Sequence, residues 1–349
     1  MELHGSDLLR HVSRSFYITL RVLPGAIRPQ ISVAYLLARA TDTIADTRLI
    51  SLELRRRALR QMRRAICNTA ETGRAEPPDF GELAAAQEST PGRGSPAERT
   101  LLKQIAVLFE QLGALGPADR QRIRDLLETI TRGQETDLDR FGSACVEGIA
   151  ALDADHELEE YTYCVAGCVG EFWTRMCRAH LFPKAELDDM PLLADGIRFG
   201  KGLQLVNILR DLPGDLRQGR CYLPRTRLLE IGLEPPELLS ASTMGRFRPL
   251  YSSYLKQAED LLEAGWAYTN ALPRNEMRVR LACAWPILIG LRTLARLRAG
   301  NVLDERHRIK ISRGEVRSLV LRSVLCYPNA RAWNRLPAQA AKGSRTWPL

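Results

Sequence analysis

GLQLVNILRDLPGD, residues 202–215, is the stretch whose reading decides the fold. Gln204, Asn207, Asp211 and Asp215 are spaced three, four and four residues apart, which puts all four on one face of an α-helix. Leu203, Leu205, Val206, Ile208 and Leu209 fill the intervening positions and need burial. Carboxylates beside a core-forming face are costly unless they are paired or bind a cation. Oxygen donors with no Cys or His among them suit a hard cation such as Mg²⁺. Taken alone, the stretch also admits a plainer reading, a solvated acidic face with Arg210 in a surface ion pair.

A second stretch, YLLARATDTIAD at residues 35–46, repeats the pattern. Asp42 and Asp46 lie one helical turn apart at the end of an apolar run, and Arg39 lies one turn before Asp42. Two D-x-x-x-D pairs, each with an arginine within a turn, describe facing metal clamps. Cations held that way can bind a diphosphate, and the arginines can take its remaining oxygens.

Helical periodicity dominates the rest of the chain, with no run of alternating strands and no internal repeat. The spacing predicts helices over about 30–46, 51–70, 99–113, 118–131, 157–180, 193–213, 246–270 and 274–299. Residues 72–98, with Pro77, Pro78, Pro91 and Pro96 among several glycines, read as a break containing a flexible surface loop. Gly167 and Gly170 sit in an expected helix. No strand precedes them, so they are no dinucleotide loop; small residues there let a helix or a substrate chain approach closely.

Composition narrows the function classes. Hydrophobic residues make up 45% of the 349 and charged residues 26%, ordinary values for a globular protein. The N-terminus is polar and carries no signal-peptide core. The longest apolar run near the C-terminus, 281–291, is too short for a bilayer span of about 20 residues. Eight scattered cysteines fit reduced thiols in a cytoplasmic protein, with no membrane anchor. The net charge is +9. Its sharpest cluster is Arg55, Arg56, Arg57, Arg60, Arg63 and Arg64, read first as a solvated helix face and second as a peripheral contact with anionic lipid on the inner face of the membrane. Nucleic-acid binding is disfavoured: aromatic residues are only 6%, and no nucleic-acid-binding signature accompanies the charge.

The chain resembles the squalene/phytoene synthase family. The resemblance rests on Arg39, Asp42 and Asp46; on Gln204, Asn207, Arg210, Asp211 and Asp215; on the block Ser13, Arg14, Ser15 and Phe16; and on the block from Tyr161 through Val165, Ala166 and Gly167 to Gly170. The four blocks come in the family's order over roughly residues 8–225. The resemblance implies one all-α domain over 1–335, an isoprenoid-synthase bundle with a central cavity, followed by a polar tail over 336–349. It implies farnesyl diphosphate as substrate and Mg²⁺ held by Asp42, Asp46, Asn207, Asp211 and Asp215. Arg39 and Arg210 complete the charge around the diphosphates, helped by Ser13, Arg14, Phe16, Tyr35 and Gln204. Tyr161 guides a proton or stabilises a cation, with Tyr163 as its near competitor.

Two departures stand out. Ala45 occupies a position where many relatives carry an extra acid, and Gly214 another that is often acidic. For the product, residues 281–286 (LACAWP) resemble the C-A-x-P helix of squalene synthases, and residues 308–314 (RIKISRG) their K-I-R-K-G segment. That implies NADPH bound near Lys310 and Arg313 and reduction to squalene. Dehydrosqualene or phytoene synthesis without NADPH is the alternative, and a non-catalytic helical binding protein the alternative from another class. Oligomeric state is left unassigned.

Overall fold

The computed structural model describes residues 16–47, 50–81, 96–304, 306 and 309–342. Among them helices dominate; the strand content is one parallel pairing of β1 (Ala150–Ala151) with β2 (Arg220–Cys221). No described helix is long and apolar enough to cross a membrane. The chain divides into two compact units, one of Met1–Gly142 with Phe172–Pro183, the other of Ser143–Glu171 with Lys184–Leu349.

The first unit begins with α1 (Phe16–Val22) and α2 (Arg28–Asp46). Pro29 sits in the first turn of α2, where a missing N–H costs nothing. Ile31, Ala34, Leu37, Ala40 and Ile44 recur at helical spacing along it and are buried. After α3 (Leu52–Thr72) come α4 (Pro96–Lys103), α5 (Ile105–Gly113) and α6 (Pro117–Phe141). Ser51 caps α3 by accepting from the Leu54 N–H, and Gly73 ends it in the left-handed region at φ 72°. Leu59, Met62 and Ile66 of α3 and Ile123 and Leu127 of α6 are sealed in the core. The expected loop is described only in part: Phe80 is buried, and residues 82–95 lie outside the described residues.

The arginine cluster of α3 departs from the sequence reading. Arg55 is buried, donating to the carbonyl oxygens of Ala45 at 3.1 Å and Gly142 at 3.4 Å. Arg56 pairs with Asp139 of α6 at 2.6 Å and Arg63 with Glu135 at 2.8 Å. The helix therefore uses its cations to bind α6, and only Arg57, Arg60 and Arg64 stay exposed. The sequence could not show this, because Gly142, Asp139 and Glu135 stand more than 70 residues away. Arg55→Met would leave two carbonyl oxygens short of a donor. We expect a loss of about 1–3 kcal/mol, read as a lower denaturation midpoint at unchanged m-value; an unshifted midpoint would contradict the packing role.

The second unit is built on α9 (Asp189–Arg217), which packs most extensively against α11 (Met244–Ala271), itself packed on α12 (Met277–Ala299). Before α9 come α7 (Asp155–Thr162), a single wide π-turn over Tyr163–Gly167, and α8 (Cys168–His180), whose first four residues belong to this unit. A Cβ built on Gly170 would lie 1.8 Å from the Gly196 carbonyl oxygen, and one on Gly200 2.1 Å from that of Ala166. The glycines thus bring the backbones around the π-turn and α9 into direct contact, the helix approach expected from the small residues. Pro213 does not end α9, which runs four residues further. A proline cannot donate to the carbonyl four residues back; that carbonyl, of Leu209, accepts from the buried Tyr251 hydroxyl of α11 at 3.0 Å.

After β2 come α10 (Arg225–Glu230) and two short 3₁₀ turns. The unit closes with α13 (Arg313–Cys326), α14 (Ala330–Asn334) and α15 (Leu336–Ala340). Residues 336–340, assigned to a polar tail from sequence, instead form α15, with Leu336 and Ala340 buried. A helix of only five residues, LPAQA, is too short to show a readable period.

Candidate active site

In the first unit the last turns of α2 present Tyr35, Arg39, Asp42 and Asp46. The apolar stripe of α2 faces the core, so these polar positions are left half-buried or exposed. Arg39 lies 3.6 Å from Asp42. Gln134 of α6 donates its amide N–H to the Asp42 carboxylate at 2.6 Å, and its own Oε1 is buried without a partner. The Asp42 carboxyl is pushed up to about 6, by burial first and by the neighbouring Asp46 second, against the opposing pull of Arg39 and Gln134. Burial pushes the Tyr35 hydroxyl up to about 12, so it remains a hydrogen-bond donor near neutral pH. Sequence reasoning missed Gln134. The readable signal was an amide in register with the buried Ile130, Thr131 and Leu138 of α6.

In the second unit α9 separates its residues as the spacing requires. Leu205, Val206, Ile208, Leu209, Leu212 and Leu216 are buried, whereas Gln204, Asn207, Asp211 and Asp215 remain partly exposed along one face. Arg210 grips both oxygens of Asp211, Nε to Oδ1 at 2.9 Å and a terminal nitrogen to Oδ2 at 2.5 Å. That bidentate pair raises the Arg210 pKa, the hydrogen bond outweighing desolvation. A cation approaching Asp211 must share the carboxylate with Arg210 or displace it.

Tyr161 stacks on Tyr222, with ring centroids 4.6 Å apart and planes 20° from parallel. Tyr222 directly follows β2, so the short parallel pairing with β1 fixes where that ring stands. Tyr163 is committed elsewhere, donating to Glu171 at 3.1 Å. Gly167 also makes room for a residue the sequence did not single out: a Cβ there would come within 3.0 Å of Lys201 Cγ. Lys201 is buried and ion-paired with Glu159.

Lys201 and Leu205 of α9 line a cavity of about 730 Å³ together with Leu158, Tyr254 and Leu261. Their register sets that cavity about a quarter-turn around α9 from the acidic face. Its charges are matched internally, Lys201 with Glu159 and Arg227 with Asp155 and Glu230.

Among the described residues no three His, Cys, Asp or Glu side chains gather into a ready metal site. The donors nevertheless suit Mg²⁺, which takes one or two carboxylates and completes its shell with water and substrate phosphate oxygens. Burial and, second, the neighbouring Asp46 raise Asp42, and a bound cation would offset both. Lys310 and Arg313 are exposed beside the N-terminus of α13. That terminus is already capped: Ser312 Oγ accepts from the Glu315 N–H, and the Glu315 carboxylate accepts from the Ser312 N–H and pairs with Arg296 and Arg292. Among the described residues, Lys310 and Arg313 do not form a prepared phosphate cradle for a nicotinamide cofactor, and Arg308 of the same segment lies outside them. Ser13, Arg14 and the Phe16 side chain lie outside the described residues.

Comparison with known proteins agrees with this architecture. The family model "Squalene/phytoene synthase" matches residues 9–315. The bifunctional lycopene cyclase/phytoene synthase of Blakeslea trispora is 28% identical over 288 residues, 81% of this chain and 43% of that protein. The squalene synthase of Yarrowia lipolytica is 28% identical over 221 residues, 63% of this chain and 44% of that protein. The chain thus spans less than half the length of these curated relatives. A ligand complex of TcSQS superposes with a TM-score of 0.72 at 21% identity, covering 97% of both chains, which shows a shared all-α isoprenoid-synthase fold. With a family match running through both acidic helices, and those helices presenting their motif residues on partly exposed faces, the chain belongs to the squalene/phytoene synthase family.

Proposed function

We propose that the protein joins two molecules of farnesyl diphosphate head to head, giving presqualene diphosphate and releasing one diphosphate. The observation that carries the reading is the partly exposed oxygen-rich face of α9, on which Gln204, Asn207, Asp211 and Asp215 stand beside Arg210. Bound Mg²⁺ would supply positive charge to the leaving diphosphate. In the first unit Asp42 and Asp46, and in the second Asn207, Asp211 and Asp215, would offer oxygen donors to Mg²⁺. Gln134 holds Asp42 through one oxygen and leaves the other toward Arg39. Arg39 and Arg210 offer charge-assisted hydrogen bonds to phosphate oxygens, and the Tyr35 hydroxyl stays protonated to donate another.

Departure of the diphosphate leaves an allylic cation. The double bond of the second farnesyl unit attacks it, and loss of a proton closes a cyclopropane. Tyr161, stacked on Tyr222, places an aromatic face for a cation to rest on, whereas the Tyr163 hydroxyl is engaged by Glu171.

The final product is a finer proposal. Squalene, formed with NADPH, rests on the resemblance of residues 281–286 and 308–314 to squalene synthases. Among the described residues the terminus beside Lys310 and Arg313 is already capped by Ser312 and Glu315, and Arg308 lies outside them. Dehydrosqualene needs no such cofactor. Incubation with farnesyl diphosphate and Mg²⁺, with and without NADPH, and mass spectrometry of the extract test both levels. A C30 product is expected in both arms, with squalene confined to the NADPH arm. The same C30 product in both arms removes Lys310 and Arg313 from the cofactor role. Phytoene from geranylgeranyl diphosphate, without a C30 product, overturns the substrate, and no product from either diphosphate overturns the proposal.

A further inference from the structure

Helix α13 is sparsely buried for its length. Of its fourteen residues only Ser323 is buried, held by the Trp285 indole N–H of α12 at 2.9 Å. Eight large apolar side chains are left exposed among the described residues, and three of them fall on this helix: Leu321 at 60%, Val324 at 37% and Leu325 at 69%. Leu321 and Leu325 are one turn apart with Val324 beside them, so the three form a single stripe. The other five are scattered along the chain, as isolated surface apolar residues ordinarily are.

Charge flanks the stripe. Arg317 lies one turn before Leu321 and Arg322 directly after it, and both are exposed. The only acid of the helix, Glu315, is turned to Arg296 and Arg292 of α12, so no acid of the helix itself offsets the arginines along the outer face. An exposed apolar stripe between cations, on a helix too short to cross a bilayer, suits shallow contact with the headgroup region of an anionic membrane. The basic cluster of α3 is a poorer candidate, since Arg55, Arg56 and Arg63 are spent on internal partners.

We propose that the outer face of α13, centred on Leu321 and Leu325 and flanked by Arg317 and Arg322, docks the protein on an anionic phospholipid surface. Leu321, Val324 and Leu325 enter the acyl boundary, and the two arginines meet lipid phosphates. The inference stands apart from the proposed reaction, because it concerns a surface that carries none of the motif residues of the two acidic helices.

Flotation of the full chain with vesicles tests it without any substrate. The protein should float with vesicles of phosphatidylglycerol mixed with phosphatidylcholine. It should float poorly with phosphatidylcholine alone, and less well as salt rises, since each basic residue near such a surface is worth roughly fivefold in partitioning. L321S/L325S and R317E/R322E should each lower the bound fraction about tenfold or more. All four side chains are on the surface, so circular dichroism should stay unchanged. R57E/R64E, on the exposed side of α3, should float like the parent protein. Failure of the parent to float with anionic vesicles, or full flotation of L321S/L325S, overturns the proposal. So does a parent dimer that the leucine variant converts to monomer without any lipid binding, because a second copy would then cover the stripe.

Discussion

Asp42→Asn and Asp211→Asn are each expected to cut kcat/KM on farnesyl diphosphate by a factor on the order of 10²–10³ or more while leaving the protein folded. Both carboxylates are partly exposed and neither supports the core: Asp42 is held by Gln134 and approached by Arg39, and Asp211 is gripped by Arg210. Removing a negative charge there takes away a cation donor without opening a cavity. The stability of the Asp42 variant adds a second readout. Burial and Asp46 raise the Asp42 carboxyl to about 6, above the usual aspartate value near 3.9, so the folded protein holds that proton more tightly than the unfolded chain. In Mg²⁺-free buffer the parent should lose stability as pH rises through roughly 4 to 6, while Asp42→Asn, having nothing to ionise, should not. The variant should therefore melt higher than the parent above pH 6, and the two should converge below pH 4. The gap will be modest, since 44% of the Asp42 side chain is exposed and solvent screens part of the repulsion. Undiminished turnover in either variant defeats the catalytic assignment, and a collapsed thermal transition would mean that the carboxylates are structural.

The second large effect is on stability. Gly170→Ala and Gly200→Ala should each destabilise the protein by roughly 2–4 kcal/mol, although alanine is the better helix former by up to about 1 kcal/mol. The added Cβ would stand 1.8 Å from the Gly196 carbonyl oxygen in the first case and 2.1 Å from the Ala166 carbonyl oxygen in the second. Backbone atoms cannot rotate aside as a side chain can, so the helices must part and the packing on both sides loosens. Gly214→Ala is the contrast. It lies in the same α9 with nothing within 4 Å of its Cβ position, and there the propensity gain should appear unopposed, at about 0.5–1 kcal/mol of added stability. Urea denaturation of the three variants gives the signs directly. A neutral Gly170→Ala would show that the close approach between α8 and α9 is not what the glycine serves.

These effects mark how far the chain could be read before folding. The helical class was legible because the apolar period along 31–46, 52–72 and 189–217 is a local property: Ile31 to Ile44 and Leu205 to Leu216 find the core face by spacing alone. The acidic faces were legible for the same reason, since Asp42 with Asp46 and Asn207 with Asp211 and Asp215 each belong to a single helix. What crosses from one helix to another was not. Gln134 meets Asp42 across 92 positions, Arg56 meets Asp139 across 83, and the carbonyl freed by Pro213 is taken by Tyr251.

The sequence by itself determined the helices, their polar and apolar faces and the residue types offered to a cation, because those follow from the 3.6-residue turn. Only the tertiary structure decided which polar groups are spent on packing and which remain available. Arg55, Arg56 and Arg63, which look like surface charge along the chain, are consumed inside the first unit. Arg317 and Arg322, unremarkable along the chain, are left facing solvent beside bare leucines. The physical reason is that a side chain's partners are chosen by proximity in space, and a helix surface becomes core or solvent only when another element covers it or fails to.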